Sequence, residues 1–248
     1  MRSKFVLVTG ASSGIGKEIA IQLSKDYNVV LHGRDLDRLN EVSTLCDASN
    51  RHLIWQQDLN AVIEIENSLI SFLGTHAIEI DKYVQCAGYM KLAPLKMSTL
   101  DVLTKTLNTN VISASLISKI LIQKKANNGA LKAIVFISSN ISTMGAKGMS
   151  AYGASKGALD TLMRCLAVEL APKTRVNSVL PGAVVTEMTQ KIFDNEEVKT
   201  RMEASYPLGI GQPNDIYQMV DFLLSHRSKW ITGQQFTVDG GRSINISG

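Results

Sequence analysis

The chain has 248 residues, is 45% hydrophobic and 19% charged, and carries 26 basic against 22 acidic side chains, a formal charge of +4. Its length suits one large parallel α/β domain over residues 1–248 better than two small ones. The positive balance is scattered, with no run longer than pairs such as Lys124-Lys125, which excludes the concentrated basic footprint that nucleic acid requires.

From the amino end, Met1 to Lys4 lead into the apolar run Phe5-Val6-Leu7-Val8, too short for a signal-peptide core or a membrane span. A first strand is predicted there, then a tight turn and a helix with Ile15, Ile19, Ala20 and Leu23 on one face. Val29-Val30-Leu31, Leu53-Ile54-Trp55, Lys82-Tyr83-Val84 and the run Ala133 to Ile137 are predicted as further strands, each followed by a helical pattern. Arg175 to Leu180 and Phe236-Thr237-Val238 bring the number to seven. Strands apolar on both faces and separated by helices predict a doubly wound, Rossmann-type parallel sheet with helices on both sides. The polar stretch 186–207 breaks this pattern and is expected to form a substrate lid. Cys46, Cys86 and Cys165 are odd in number and widely spaced, fitting neither a disulfide framework nor a zinc site, so a cytoplasmic protein without a metal is expected.

Thr9-Gly10-Ala11-Ser12-Ser13-Gly14-Ile15-Gly16 joins the first predicted strand to the first helix. A sharp turn that lets a diphosphate approach the backbone needs residues without a Cβ, and the helix start then presents its amides to the negative charge. This predicts a dinucleotide site. The end of the second strand reads His32-Gly33-Arg34, with no carboxylate to accept from an adenosine ribose. Arg34 instead offers a charged fork for a 2′-phosphate, so NADP(H) is expected in preference to NAD(H). The alternative is that Arg34 and Arg38 pair with Asp35 and Asp37 at the surface. Asp58-Leu59 ends the third strand region, where the carboxylate would accept from an adenine amino group or cap the next helix. Cys86-Ala87-Gly88 ends the fourth, its small side chains leaving room for the nucleoside.

Tyr152 and Lys156 are four residues apart at the start of a long helical pattern and share one face. An ammonium about 4.5 Å from the phenol, at an effective dielectric of 20, would stabilise the phenolate by roughly 3.7 kcal/mol. The expectation is therefore a tyrosine whose pKa falls toward neutrality and which trades protons with a carbonyl oxygen. Ser139 closes the fifth predicted strand, 13 residues before Tyr152, and would hydrogen-bond the same oxygen; Ser138 would face elsewhere. No hydrolytic triad or metal spacing is recognisable, and His32, His52, His76 and His226 are read as incidental.

From Lys4 to Gly241 the sequence resembles the short-chain dehydrogenase/reductase family. Thr9 to Gly16 matches its Thr-Gly-x-x-x-Gly-x-Gly turn, Tyr152-x-x-x-Lys156 its catalytic pair, Ser139 its serine, and Asn110 the asparagine that helps hold a proton-relay water beside the lysine. Pro181-Gly182, continuing through Val184 to Thr186, looks like its nicotinamide-side loop, and Ile231 to Gly241 like its C-terminal close. The resemblance implies a small carbonyl or alcohol substrate, with Lys156 binding the nicotinamide ribose, Thr186 the carboxamide and Asp58 the adenine. One departure stands out: the family commonly has Asn-Asn-Ala-Gly or Asn-Ala-Ala-Gly after the fourth strand, where this chain has Gln85-Cys86-Ala87-Gly88. Within the family the chain looks most like 3-oxoacyl-[acyl-carrier-protein] reductases, which implies a homotetramer or homodimer and a carrier-bound thioester as partner. Sugar, steroid or polyol dehydrogenation and cofactor sensing without turnover are the alternatives.

Overall fold

The computed structural model describes residues 2–187, 189, 194 and 196–245. Strands β1 (Ser3–Thr9), β2 (Val29–Gly33), β3 (His52–Gln56), β4 (Ile78–Gln85), β5 (Ala133–Ile137), β6 (Arg175–Pro181) and β7 (Gln235–Val238) form one sheet in the order β3-β2-β1-β4-β5-β6-β7. Every neighbouring pair is parallel. All seven predicted strands are present. Side chains alternate across the pleat, so both faces of β1 are apolar: Phe5 and Leu7 enter one core cluster, Val6 and Val8 the other.

The first cluster lies under α3 (Val62–His76), α5 (Ser113–Ile122) and α7 (Ser150–Leu170), the second under α1 (Gly14–Leu23), α2 (Leu36–Leu45) and α9 (Pro213–Leu224). Between α4 (Leu100–Leu107) and α5 the chain makes one π-helical turn, Asn108–Ile112, which buries Asn110. A short α6 (Lys124–Asn127) precedes β5, and α8 (Glu196–Ser205) follows β6. The stretch 186–207 thus contains a helix; its residues 188, 190–193 and 195 lie outside the described residues. No described helix is long and apolar enough to cross a membrane.

The order reverses at the centre: β1 leads outward to β2 and β3, and β4 then returns to the other side of β1. Helices on opposite faces diverge at that point and leave a crevice above the carboxyl ends of β1 and β4. Thr9 and Gln85, the last residues of these strands, are paired in register.

Candidate active site

The chain turns sharply out of β1 at Gly10, whose φ is +68°, and a Cβ there would lie 2.8 Å from the Ala87 backbone. A Cβ on Gly16 would lie 2.2 Å from the Gly10 carbonyl oxygen, so the first turn of α1 packs on the bend only because this residue has no side chain. Ser13 stands before α1 in an extended conformation without a side-chain cap, and the first turn carries no acidic residue. By contrast, Asp35 caps α2 by accepting from the Arg38 amide, Thr99 caps α4, and Gln212 and Asp215 form a capping box on α9. The amides at the start of α1 therefore keep their donors for an anion. This cradle fits the diphosphate of a dinucleotide.

The crevice widens into a cavity of about 460 Å³. Every residue expected to hold the cofactor lines it: Gly10, Ser12 to Gly16, Arg34, Asp58, Leu59, Cys86 to Gly88, Tyr152, Lys156, Pro181, Gly182, Val184 and Thr186. At the adenosine end Arg34 is exposed and has no acidic partner within 4 Å among the described residues, so the surface pairing considered for it is absent. Arg38 does form an ion pair, with Glu187 rather than Asp35 or Asp37. The Asp58 carboxylate accepts from the Asn60 amide at 3.0 Å in a turn, and α3 starts only at Val62, so Asp58 is not its cap. A side chain on Gly14 would meet Thr186 Cγ2 at 3.2 Å. The loop after β6 thus stands directly against the glycine-rich turn, steadied by the Ala183 amide donating to Tyr206 Oη at 2.9 Å.

At the other end, Ser139, Tyr152 and Lys156 open onto the same cavity. Ser139 Oγ accepts from the Ile141 amide at 3.2 Å and stands near enough to the Tyr152 phenol to favour its ionised form. Ser138 instead turns toward the Lys156 carbonyl. Lys156 is 3% exposed; its ammonium donates to the Ile137 carbonyl at 2.8 Å and sits 5.5 Å from the Tyr152 ring centroid. The direction expected for the tyrosine is reversed. Burial pushes the phenol up to about 12, and the Ser139 hydroxyl only partly opposes this. Burial also pulls Lys156 down to about 8, against the Cys86 and Asp160 contributions. Desolvation of both groups outweighs any attraction between them.

Asn110 does not line the cavity. Its amide is committed: Oδ1 accepts from the Tyr89 amide at 2.7 Å, and Nδ2 donates to the Tyr89 carbonyl at 3.1 Å and Ser155 Oγ at 2.9 Å. It binds the loop after β4 to α7 beside the lysine, since a Cβ on Gly88 would touch both Asn110 Oδ1 and Lys156 Nζ, at 3.6 and 3.7 Å.

Two contributors escaped the sequence reading. His32 is buried, not incidental: its Nε2 lies 3.1 Å from the Gln57 carbonyl and its Nδ1 accepts from the Gly10 amide at 3.4 Å. Burial drives its pKa down to about 4, so it supports the turn as a neutral ring. Gln85 joins the crevice together where the family's asparagine pair is missing. Its Oε1 accepts from Thr9 Oγ1 at 2.9 Å and from Tyr83 Oη, while Nε2 donates to the Ala87 carbonyl at 3.2 Å. Thr9 Oγ1 in turn accepts from the Cys86 and Ala87 amides. A lone histidine carries no pattern, and Gln85 was visible only as a departure. Among the described residues no cluster of His, Cys, Asp or Glu is arranged to hold a metal ion.

A family model described as enoyl-(acyl carrier protein) reductase matches residues 10–243. The chain is 32% identical to a rat (3R)-3-hydroxyacyl-CoA dehydrogenase, over 97% of this chain and 96% of that protein. It is likewise 32% identical to a cyclopentanol dehydrogenase of a Comamonas species, over 99% of each. Among solved structures, a short-chain dehydrogenase/reductase from Brucella melitensis titled glucose/ribitol dehydrogenase superposes with a TM-score of 0.84 at 30% identity, covering 98% of this chain and 99% of that one.

Proposed function

The chain belongs to the short-chain dehydrogenase/reductase family, oxidoreductases of alcohol and ketone groups, and from that premise we propose that it is an NADPH-dependent reductase of ketones, with 3-oxoacyl thioesters as its substrates. The observation that carries this reading is that one cavity is lined at one end by the glycine-rich turn and an Arg34 with no acidic partner among the described residues, and at the other by Ser139, Tyr152 and Lys156. A bound nicotinamide supplies the hydride. The side chains supply position and the proton. Ser139 Oγ donates to the substrate carbonyl and holds its oxygen beside the phenol. As negative charge gathers on that oxygen, Tyr152 Oη transfers its proton, leaving an alcohol and a phenolate.

A phenol held near 12 is fully protonated at neutral pH, the state that reduction requires of an acid. The Lys156 ammonium, 5.5 Å from the ring centre, then stands where a positive charge favours the phenolate. Its charge acts most strongly after the proton has left, when it favours product. The rat relative's name supports a thioester substrate, and the exposed Arg34 supports NADPH. We further assign 186–207 to a substrate lid, and the working enzyme to a cytoplasmic homodimer or homotetramer.

The test is Tyr152→Phe, assayed with NADPH and an acetoacetyl thioester. Turnover should fall by 10²–10⁴-fold, the usual range for loss of a general acid, while NADPH still binds with its ordinary fluorescence change. Undiminished turnover would remove Tyr152 from the mechanism.

A further inference from the structure

Asp160 is a buried carboxylate on α7 that the mechanism above does not use. It is 2% exposed, and neither of its carboxylate oxygens has a hydrogen-bond partner among the described residues. It stands one helical turn beyond Lys156, and these two are the buried charged side chains of that helix. Lys156 is also the one fully buried lysine or arginine among the described residues. The pair is not in contact, since no ion pair within 4 Å joins them. α7 packs on α4, β5, β6 and the turns Asn108–Ile112 and Asn140–Ser142. The charged groups of those elements are engaged or exposed: Arg175 donates to Ser228 Oγ and the Ser225 carbonyl, Lys105 lies over the Tyr89 ring, and Asp101 faces solvent. On the covered face of the sheet lie Phe136 and Val176, with Ser178 two residues beyond Val176 on the same side of the pleat.

We infer that Asp160 is a positioning residue whose carboxylate, buried without another partner, keeps the Lys156 ammonium charged beside the phenol. The inference rests on the reduction proposed above, in which that charge favours the phenolate. A carboxylate and an ammonium each taken out of water need an opposite charge nearby, and here each is the other's nearest candidate along the helix. Burial pulls Lys156 down, while Cys86 and Asp160 oppose it. Of those two, the Cys86 thiol is itself pushed up to about 12 by burial, so it is uncharged at neutral pH and Asp160 is left as the anion. Cβ atoms four residues apart on a helix are about 6 Å apart, which keeps the two charges within about 12 Å whatever rotamer the lysine takes. A unit charge about 12 Å away moves a pKa by about one unit at an effective dielectric of 20.

The experiment follows kcat/KM for reduction of cyclopentanone, a ketone with no titratable group, by NADPH and the intact enzyme from about pH 6 to about pH 10. In wild type the alkaline decline is expected near 8. In Asp160→Asn it should move toward acid by at least about half a unit; a smaller displacement overturns the inference and leaves the reductase reading intact. Asp160→Leu removes the same charge with an apolar side chain and should give the same displacement, which keeps the test open if the Asn variant does not fold. Ser178→Ala disturbs the same buried patch without removing a charge, so its decline should stay where wild type has it. A displacement as large as that of Asp160→Asn would assign the effect to packing and overturn the inference. If wild type reduces neither cyclopentanone nor an acetoacetyl thioester with NADPH or NADH, the oxidoreductase reading itself fails, and this inference falls with it.

Discussion

His32 ties the stability of the fold to the pH of its surroundings in a way that can be calculated. Its ring is 2% exposed, lies 4.7 Å from the Trp55 ring and supports Gly10 from below. In the unfolded chain it gains a proton as pH falls through about 6.5; in the folded protein burial delays this to about 4. Between those values the unfolded chain binds more protons, so acid favours unfolding, and the stabilisation is whole only above about 6.5. Integrating from pH 7.5 to 4.5 with a folded pKa of about 4 gives a loss of about 2.5 kcal/mol from this one group. Other carboxylates titrate in the same range, so the comparison needs His32→Phe, which keeps an aromatic ring against Trp55 and cannot titrate. Urea unfolding at both pH values should find the stability advantage of wild type over the variant smaller at pH 4.5 by that amount. An advantage equal at the two pH values would refute the buried, neutral histidine.

Other perturbations address the cofactor and the acid. Gly16→Ala must move α1 from the turn by at least 0.8 Å, the difference between 3.0 and 2.2 Å; a stability loss of about 1–3 kcal/mol and at least tenfold weaker NADPH binding by calorimetry are expected, and intact binding would contradict the cradle. Arg34→Ala should weaken NADPH by about 10–100-fold, as for a lost charge-assisted hydrogen bond, and NADH by less than threefold; equal losses would place the 2′-phosphate elsewhere. Because Lys156 loses its proton near 8, kcat/KM for reduction should be sustained below that pH and decline as pH rises through it. A profile flat to pH 10 would show that the ammonium is dispensable.

Much of the architecture was legible because a parallel strand covered on both sides must be apolar on both faces, and runs such as Phe5 to Val8 and Ala133 to Ile137 have that property. The glycine-rich turn and the Tyr152–Lys156 pair were legible for a similar reason: each has a spacing that only one local geometry explains. What escaped was set by distant partners. Nothing near His32 in the chain announces that Gln57 and Gly10 will enclose it. The tyrosine's acidity depended on how much protein surrounds it, a quantity absent from any pairwise distance. Gln85 meets Thr9 across 76 positions of sequence, and its reach from β4 is what allows one amide to serve where the family's shorter side chains are missing.

The π-helical turn at Asn108–Ile112 separates the packing of this helix from the seating of one side chain. It holds one residue beyond what a regular α-helix would use, and the widened turn absorbs that surplus locally. Deleting one residue there would close the turn into regular α-helix and leave Ala114, Ile117 and Leu121 facing the core in which they are fully buried. What such a variant would lose is the position of Asn110, and with it the tie to the Tyr89 backbone.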